Sequence, residues 1–268
     1  MLLEGYSKED PAAQPKLAVP VSVPNEMYEI GSTKTERTKC IGDFGLIAFY
    51  YLLRVGEYTY SKPSERRRTQ QFRLRDVTLW CNTERLDPEL PLNMLYNRCT
   101  AATLNISNQK NGVRAQTIHQ EAIFTRYCPI RAIIRRVKHI RAHTTNLDTM
   151  LGSYFLPGKG QKSITSYSMT EAVRKAAQNL HLDRQGLTRA NLASHSLRAG
   201  GAMALHISKV SDNIIKKMGR WSSDTFLMYI HEQISIFAKG LSKQMSHIVQ
   251  FHNIAYRPIA TAPTVCKI

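Results

Sequence analysis

Residues 194–201 read Ser194-His195-Ser196-Leu197-Arg198-Ala199-Gly200-Gly201. His195 and Arg198 are three apart, so a helix carries them on one face. Gly200 and Gly201 each cost about 1 kcal/mol against alanine inside a helix. Their presence implies the close approach of another backbone or of a substrate. Taken alone, His-x-x-Arg is a polar surface pair. Further along stands Met218-Gly219-Arg220-Trp221, and Tyr229 follows Trp221 by eight residues. Gly219 reads as a helix stop. Tyr229, among Phe226, Leu227, Met228 and Ile230, is by default a core aromatic with a wet hydroxyl. Upstream, Arg54 follows six apolar or aromatic residues, Ala48 to Leu53, at the end of a helix expected over 38–57. A guanidinium there needs a partner, and Glu57, three residues on, supplies one. The plain reading of that pair is a structural salt bridge.

The whole chain holds 37 basic and 20 acidic residues in 268, a net charge of +17. That excess disfavours a neutral metabolic enzyme and favours a polyanionic partner. The charge is uneven. Residues 1–30 carry two basic and five acidic groups, so the remaining 238 carry +20. The first segment also holds Pro11, Pro15, Pro20 and Pro24, and residues 1–37 read as an acidic, proline-rich arm or linker. The main domain is expected over 38–250, with a flexible tail over 251–268.

Between the motifs, Lys62, Arg66, Arg67 and Arg68 form a basic loop. Strand-like runs at 72–80, 103–106 and 115–118 flank a turn signal, Gln109-Lys110-Asn111-Gly112, so a hairpin turns at 108–113. Residues 129–143 form a helix with Ile130, Ile133, Ile134, Val137 and Ile140 on one face, leaving Arg135 and Arg136 for the other. Pro157 to Gly160 is a loop, and Ser168 to Glu171 reads as a capping box for a helix to about 180. Helices follow at about 189–207, 211–218, 222–230 and 232–249. The fold class is α+β: mostly helical, with a small antiparallel sheet.

Other chemistries are excluded. Gly152 to Lys159 has five residues between its glycines, and Gly160 stands where a phosphate-binding loop needs Ser or Thr. His139 and His143 have metal-ligand spacing, but their basic helix repels a cation, so no metal or other cofactor is expected. Five scattered cysteines form no C-x-x-C pair. No signal peptide or membrane span is legible, so an intracellular, nuclear setting is expected.

The order Arg54…Lys110…His195-x-x-Arg198…Arg220-Trp221…Tyr229 resembles the catalytic domain of tyrosine recombinases, the phage-integrase-like family. The runs YYLLRVGEYT (50–59), SHSLRAGGAMAL (194–205) and MGRWSSDTFLMYI (218–230) look closest to eukaryotic crypton-like mobile-element recombinases. The resemblance spans about residues 38–245. It implies DNA recombination and integration without metal, through a 3′-phosphotyrosyl intermediate on Tyr229. Arg54 and Arg198 would clamp the phosphate, His195 would serve as acid/base or donor, and Lys110 would protonate the leaving oxygen. Glu57 would buttress Arg54.

In the family a His or Trp usually lies nine residues before the tyrosine. Arg220 holds that place here, so Trp221 is read as the equivalent with a shift of one and Arg220 as support behind it. The implied partner is double-stranded DNA. Arg66, Arg67, Arg68, Arg135 and Arg136 would track its backbone, and the C-terminal helix would join subunits, as a tetramer on DNA. Such recombinases usually carry a preceding helical core-binding domain, which is expected either to be missing here or to have been lost from the gene model upstream of this sequence. The alternatives are a non-catalytic DNA-binding relic of an integrase and a type IB topoisomerase-like relaxase.

Overall fold

The computed structural model describes residues 16–60, 70–108, 114–221 and 227, all within one compact unit. Its centre is helix α2 (Glu36–Tyr50), in which every residue from Cys40 to Phe49 is buried. A helix apolar on all sides belongs in the middle of a fold. Thr35 caps its start, accepting from the Thr38 N–H. The helix ends at Tyr50, well short of the expected 57. Leu52 adopts φ 49°, which turns the chain sharply and buries both Leu52 and Leu53. Arg54 is therefore extended, and it precedes a 3-10 turn at Val55–Glu57.

Helix α1 (Ser22–Ser32) packs along α2 and buries Val23, Met27 and Gly31. Residues 22–32 are thus no loose arm. Val19, Val23, Met27 and Gly31 recur every four residues and form an apolar seam despite the prolines. Pro24 lies in the first turn, where a missing N–H breaks no helical bond. The preceding strap, Lys16–Pro20, is hydrogen-bonded to residues 191–196, through Leu17 N to Asn191 O at 2.9 Å and Val19 N to Ser196 O at 3.3 Å.

The C-terminal end of α2 meets a four-stranded antiparallel sheet of β1 (Val77–Cys81), β2 (Glu84–Leu86), β3 (Ala101–Asn108) and β4 (Arg114–Glu121), in the order β2-β1-β3-β4. The hairpin expected around 108–113 is present, with Leu104 opposite Ile118 and Asn108 opposite Arg114. Tyr51 Oη donates to Ala102 O at 2.8 Å and Gln120 Nε2 donates to Tyr50 O at 2.6 Å. These bonds tie the sheet to the end of α2. A short helix, α3 (Leu92–Arg98), connects the β2 and β3 strands.

Helix α4 (Pro129–Arg141) matches the expected span and packs on α2. Pro157–Gly160 turns a second hairpin, β5 (Ser153–Leu156) with β6 (Gly160–Ser163). Helix α5 (Ser166–Asn179) begins earlier than its expected box. Thr165 caps it and exchanges bonds with Ser168. Residues 189–194 are not helical, and α6 spans His195–Ile207. Helix α7 (Asp212–Gly219) ends on Arg220, not glycine, in the left-handed region at φ 57°. No helix of the described residues is long and apolar enough to cross a membrane.

Candidate active site

Three chain segments far apart in sequence meet at one place: the 3-10 turn after α2, the start of α6, and the end of α7. Glu57 is completely buried there. Its carboxylate accepts from the Arg54 backbone N–H at 2.8 Å and lies 3.4 Å from Arg54 Nη1. It also accepts from Arg220 Nη2 at 2.7 Å. One buried carboxylate therefore answers two guanidiniums. Arg54 Nη2 in turn donates to the Arg220 carbonyl at 2.8 Å.

Arg198, one turn into α6, is 1% exposed. Its Nη1 donates to Leu52 O at 2.8 Å and its Nη2 donates to Gly219 O. The Trp221 ring lies across it, 4.2 Å from Cζ to ring centroid. A methyl group at Gly219 would enter that indole, so glycine is what lets the ring lie there. Gly200 and Gly201 have the matching explanation. A Cβ at Gly200 would run into Val19 O, and one at Gly201 into Phe49 O. The close approach implied by the sequence is that of backbone, from the strap and from α2.

His195 is held near neutrality's uncharged form. Burial, then the positive charges of Arg198 and Arg54, lowers its pKa to about 4. At neutral pH its imidazole is uncharged and can accept a proton. The cluster thus gathers three guanidiniums, of Arg54, Arg198 and Arg220, around one carboxylate, with a neutral imidazole and an indole beside them. Such a set suits an oxyanion better than a cation.

The structure brings Arg54, Glu57, His195, Arg198, Arg220 and Trp221 together. Lys110, Tyr229, Arg66, Arg67, Arg68 and the expected helix at 232–249 lie outside the described residues. Arg135 and Arg136 correct the expectation of a DNA-facing pair. Arg135 Nε donates to the buried Asp43 at 2.7 Å. Arg136 is 1% exposed and donates to Ser153 O. Spacing explains it: position 136 is three after Ile133 and four before Ile140, hence on the buried stripe. His139 is also engaged, with Nδ1 3.2 Å from Glu36 Oε2 and Nε2 accepting from the Phe155 N–H. Sequence reasoning placed Arg220 behind the site but missed its bond to Glu57. Its only local sign was a large side chain directly after a helix-ending glycine.

No known family model matches the chain, and no curated protein matches it. Solved structures do. A post-cleavage complex of the XerH site-specific recombinase with a palindromic difH substrate aligns at TM-score 0.54 and 15% identity. It covers 86% of this chain and 54% of that one. The pre-cleavage XerH–difH complex aligns at 0.52 and 14%, covering 84% and 53%. The fold is shared with part of these site-specific recombinase structures. The chain spans about half the length of the XerH structures it matches. At these identities the likeness is one of fold, and the α+β class read from the sequence agrees with it.

Proposed function

We propose that this protein is a tyrosine-type, metal-independent DNA recombinase or integrase. The observation that carries the reading is the meeting of Arg54, His195, Arg198 and Trp221 around residues 219–221 on a recombinase-like fold. In this reading Tyr229 Oη attacks the scissile phosphorus. A Tyr–O–P bond forms and the P–O5′ bond breaks. A phenol ordinarily ionises only near pH 10, so the nucleophile needs a proton acceptor, and neutral His195 fills that role. Arg54 and Arg198 hold the non-bridging oxygens as negative charge builds on them. Lys110 gives its proton to the departing 5′-oxygen. Trp221 donates its indole N–H to the phosphate, and Arg220 and Glu57 keep Arg54 in place. The bond energy stays in the phosphotyrosine, so a second 5′-hydroxyl can reseal the strand without ATP.

The substrate is double-stranded DNA, with a tetramer assembled through the C-terminal helix. The sequence runs favour a crypton-like relation, and with it the nucleus as the place of work. The test is a panel of duplexes nicked close to the candidate cut sites. A detergent-stable adduct should form on Tyr229, identified by peptide mass, and vanish in Tyr229→Phe. Salt-sensitive DNA binding with no adduct from the native chain, unchanged in Tyr229→Phe, would select the non-catalytic relic. Supercoil relaxation without strand exchange would select the relaxase.

A further inference from the structure

On the flank of the fold, α1, α2 and α4 enclose a cleft of about 250 Å3 that none of the proposed recombinase chemistry uses. Its wall includes Arg136, whose side chain is almost wholly removed from solvent. Arg136 donates through Nη2 to the Ser153 carbonyl, while its buried Nε makes no hydrogen bond within the protein. A buried cation with a spare N–H and no carboxylate of its own is costly unless a counter-charge reaches it.

The neighbouring charges are already paired off. Asp43 is taken by Arg135, with Nε to Oδ1 at 2.7 Å. Glu36 is taken by Lys39 at 2.8 Å. Burial and the Arg136 charge lower the His139 pKa to about 4, so His139 adds no charge at neutral pH. Two carboxylates face three cations, and the cleft keeps a net charge of +1.

We propose that this cleft binds a small monocarboxylate, drawn by the uncompensated charge of Arg136 in its wall and held by the Lys39 ammonium at the rim. One negative charge balances the cleft. A dianion such as phosphate at alkaline pH meets Glu36 and Asp43 and is disfavoured. The bound anion would clamp α1 and α2 to α4.

The full chain is titrated with sodium acetate at fixed ionic strength, sodium chloride making up the balance, while the melting temperature is followed. A saturable rise is expected with acetate. Lys39→Glu turns the net charge of the cleft from positive to negative at an exposed position. It should weaken acetate binding by about tenfold or more. Arg136→Met should abolish binding, and if that variant does not fold, Lys39→Glu still decides. Arg198→Lys should bind acetate as the native chain does, which separates this cleft from the proposed active site. Three results would overturn the proposal: an equal response to chloride, an unchanged response in Lys39→Glu, or inorganic phosphate at pH 8 binding as tightly as acetate.

Discussion

Glu57 is a single buried carboxylate with two guanidiniums on it, and its neutralisation should be felt on both sides. Glu57→Gln keeps the shape and removes the charge. It leaves Arg220, itself buried, without an ionic partner, a change that costs about 3–5 kcal/mol in buried pairs. Arg220→Met should cost less, about 1–2 kcal/mol, because Glu57 keeps the Arg54 backbone N–H and side chain. The double variant should cost clearly less than the two singles added, since the same interaction is removed once. Urea unfolding of the four proteins measures this, and strictly additive costs would refute the shared-carboxylate arrangement. Only half of it was legible in the sequence. Arg54 and Glu57 are three residues apart and announce each other. Arg220 lies 163 residues from Glu57, and no local pattern links them.

Helix α6 presents its His195–Arg198 face to the site because its opposite side touches backbone. At Gly200 that backbone is the carbonyl of Val19, in a strap that Lys16 and Leu17 tie to residues 190 and 191. Alanine at 200 gains about 1 kcal/mol in helix propensity. It must also push a carbonyl away, and overpacking of this kind costs about 1–3 kcal/mol, more when backbone is what must move. Gly200→Ala should therefore destabilise by about 2 kcal/mol in thermal unfolding, and a neutral or stabilising effect would show that the strap gives way freely. The elements that read correctly from sequence are those whose pattern is local. Helix α4 has an isoleucine stripe and a proline at its start, and the β3–β4 hairpin has alternation around Asn111-Gly112. Helix α1 was hidden by proline and acidic content, although Val19, Val23 and Met27 kept its period. The end of α2 was hidden because Leu52 takes a left-handed turn that tertiary burial imposes and propensity does not foretell.

At the scale of the whole molecule, a net charge of +17 is a statement about a polyanion, but it does not say which cations meet it. Many basic groups are spent internally. Arg135 holds Asp43, Arg73 and Arg75 share Asp148, and Arg174 and Arg189 share Glu171. In the proposed DNA complex, cations already committed to carboxylates would release no counterions. The salt dependence of DNA affinity counts only those that reach phosphate, at about 0.9 in log–log slope per contact. Removing Arg135 together with its partner, as Asp43→Asn with Arg135→Met, should leave that slope unchanged. Replacing Arg66, Arg67 and Arg68 by alanine should lower it by about 2–3. Binding isotherms from low to moderate salt measure both. A slope that falls with Arg135 would place α4 on the DNA after all. A slope indifferent to the 66–68 triple would shift the footprint to other cations, and the proposed clamp on a single phosphate would then need a different route by which the flanking duplex is held.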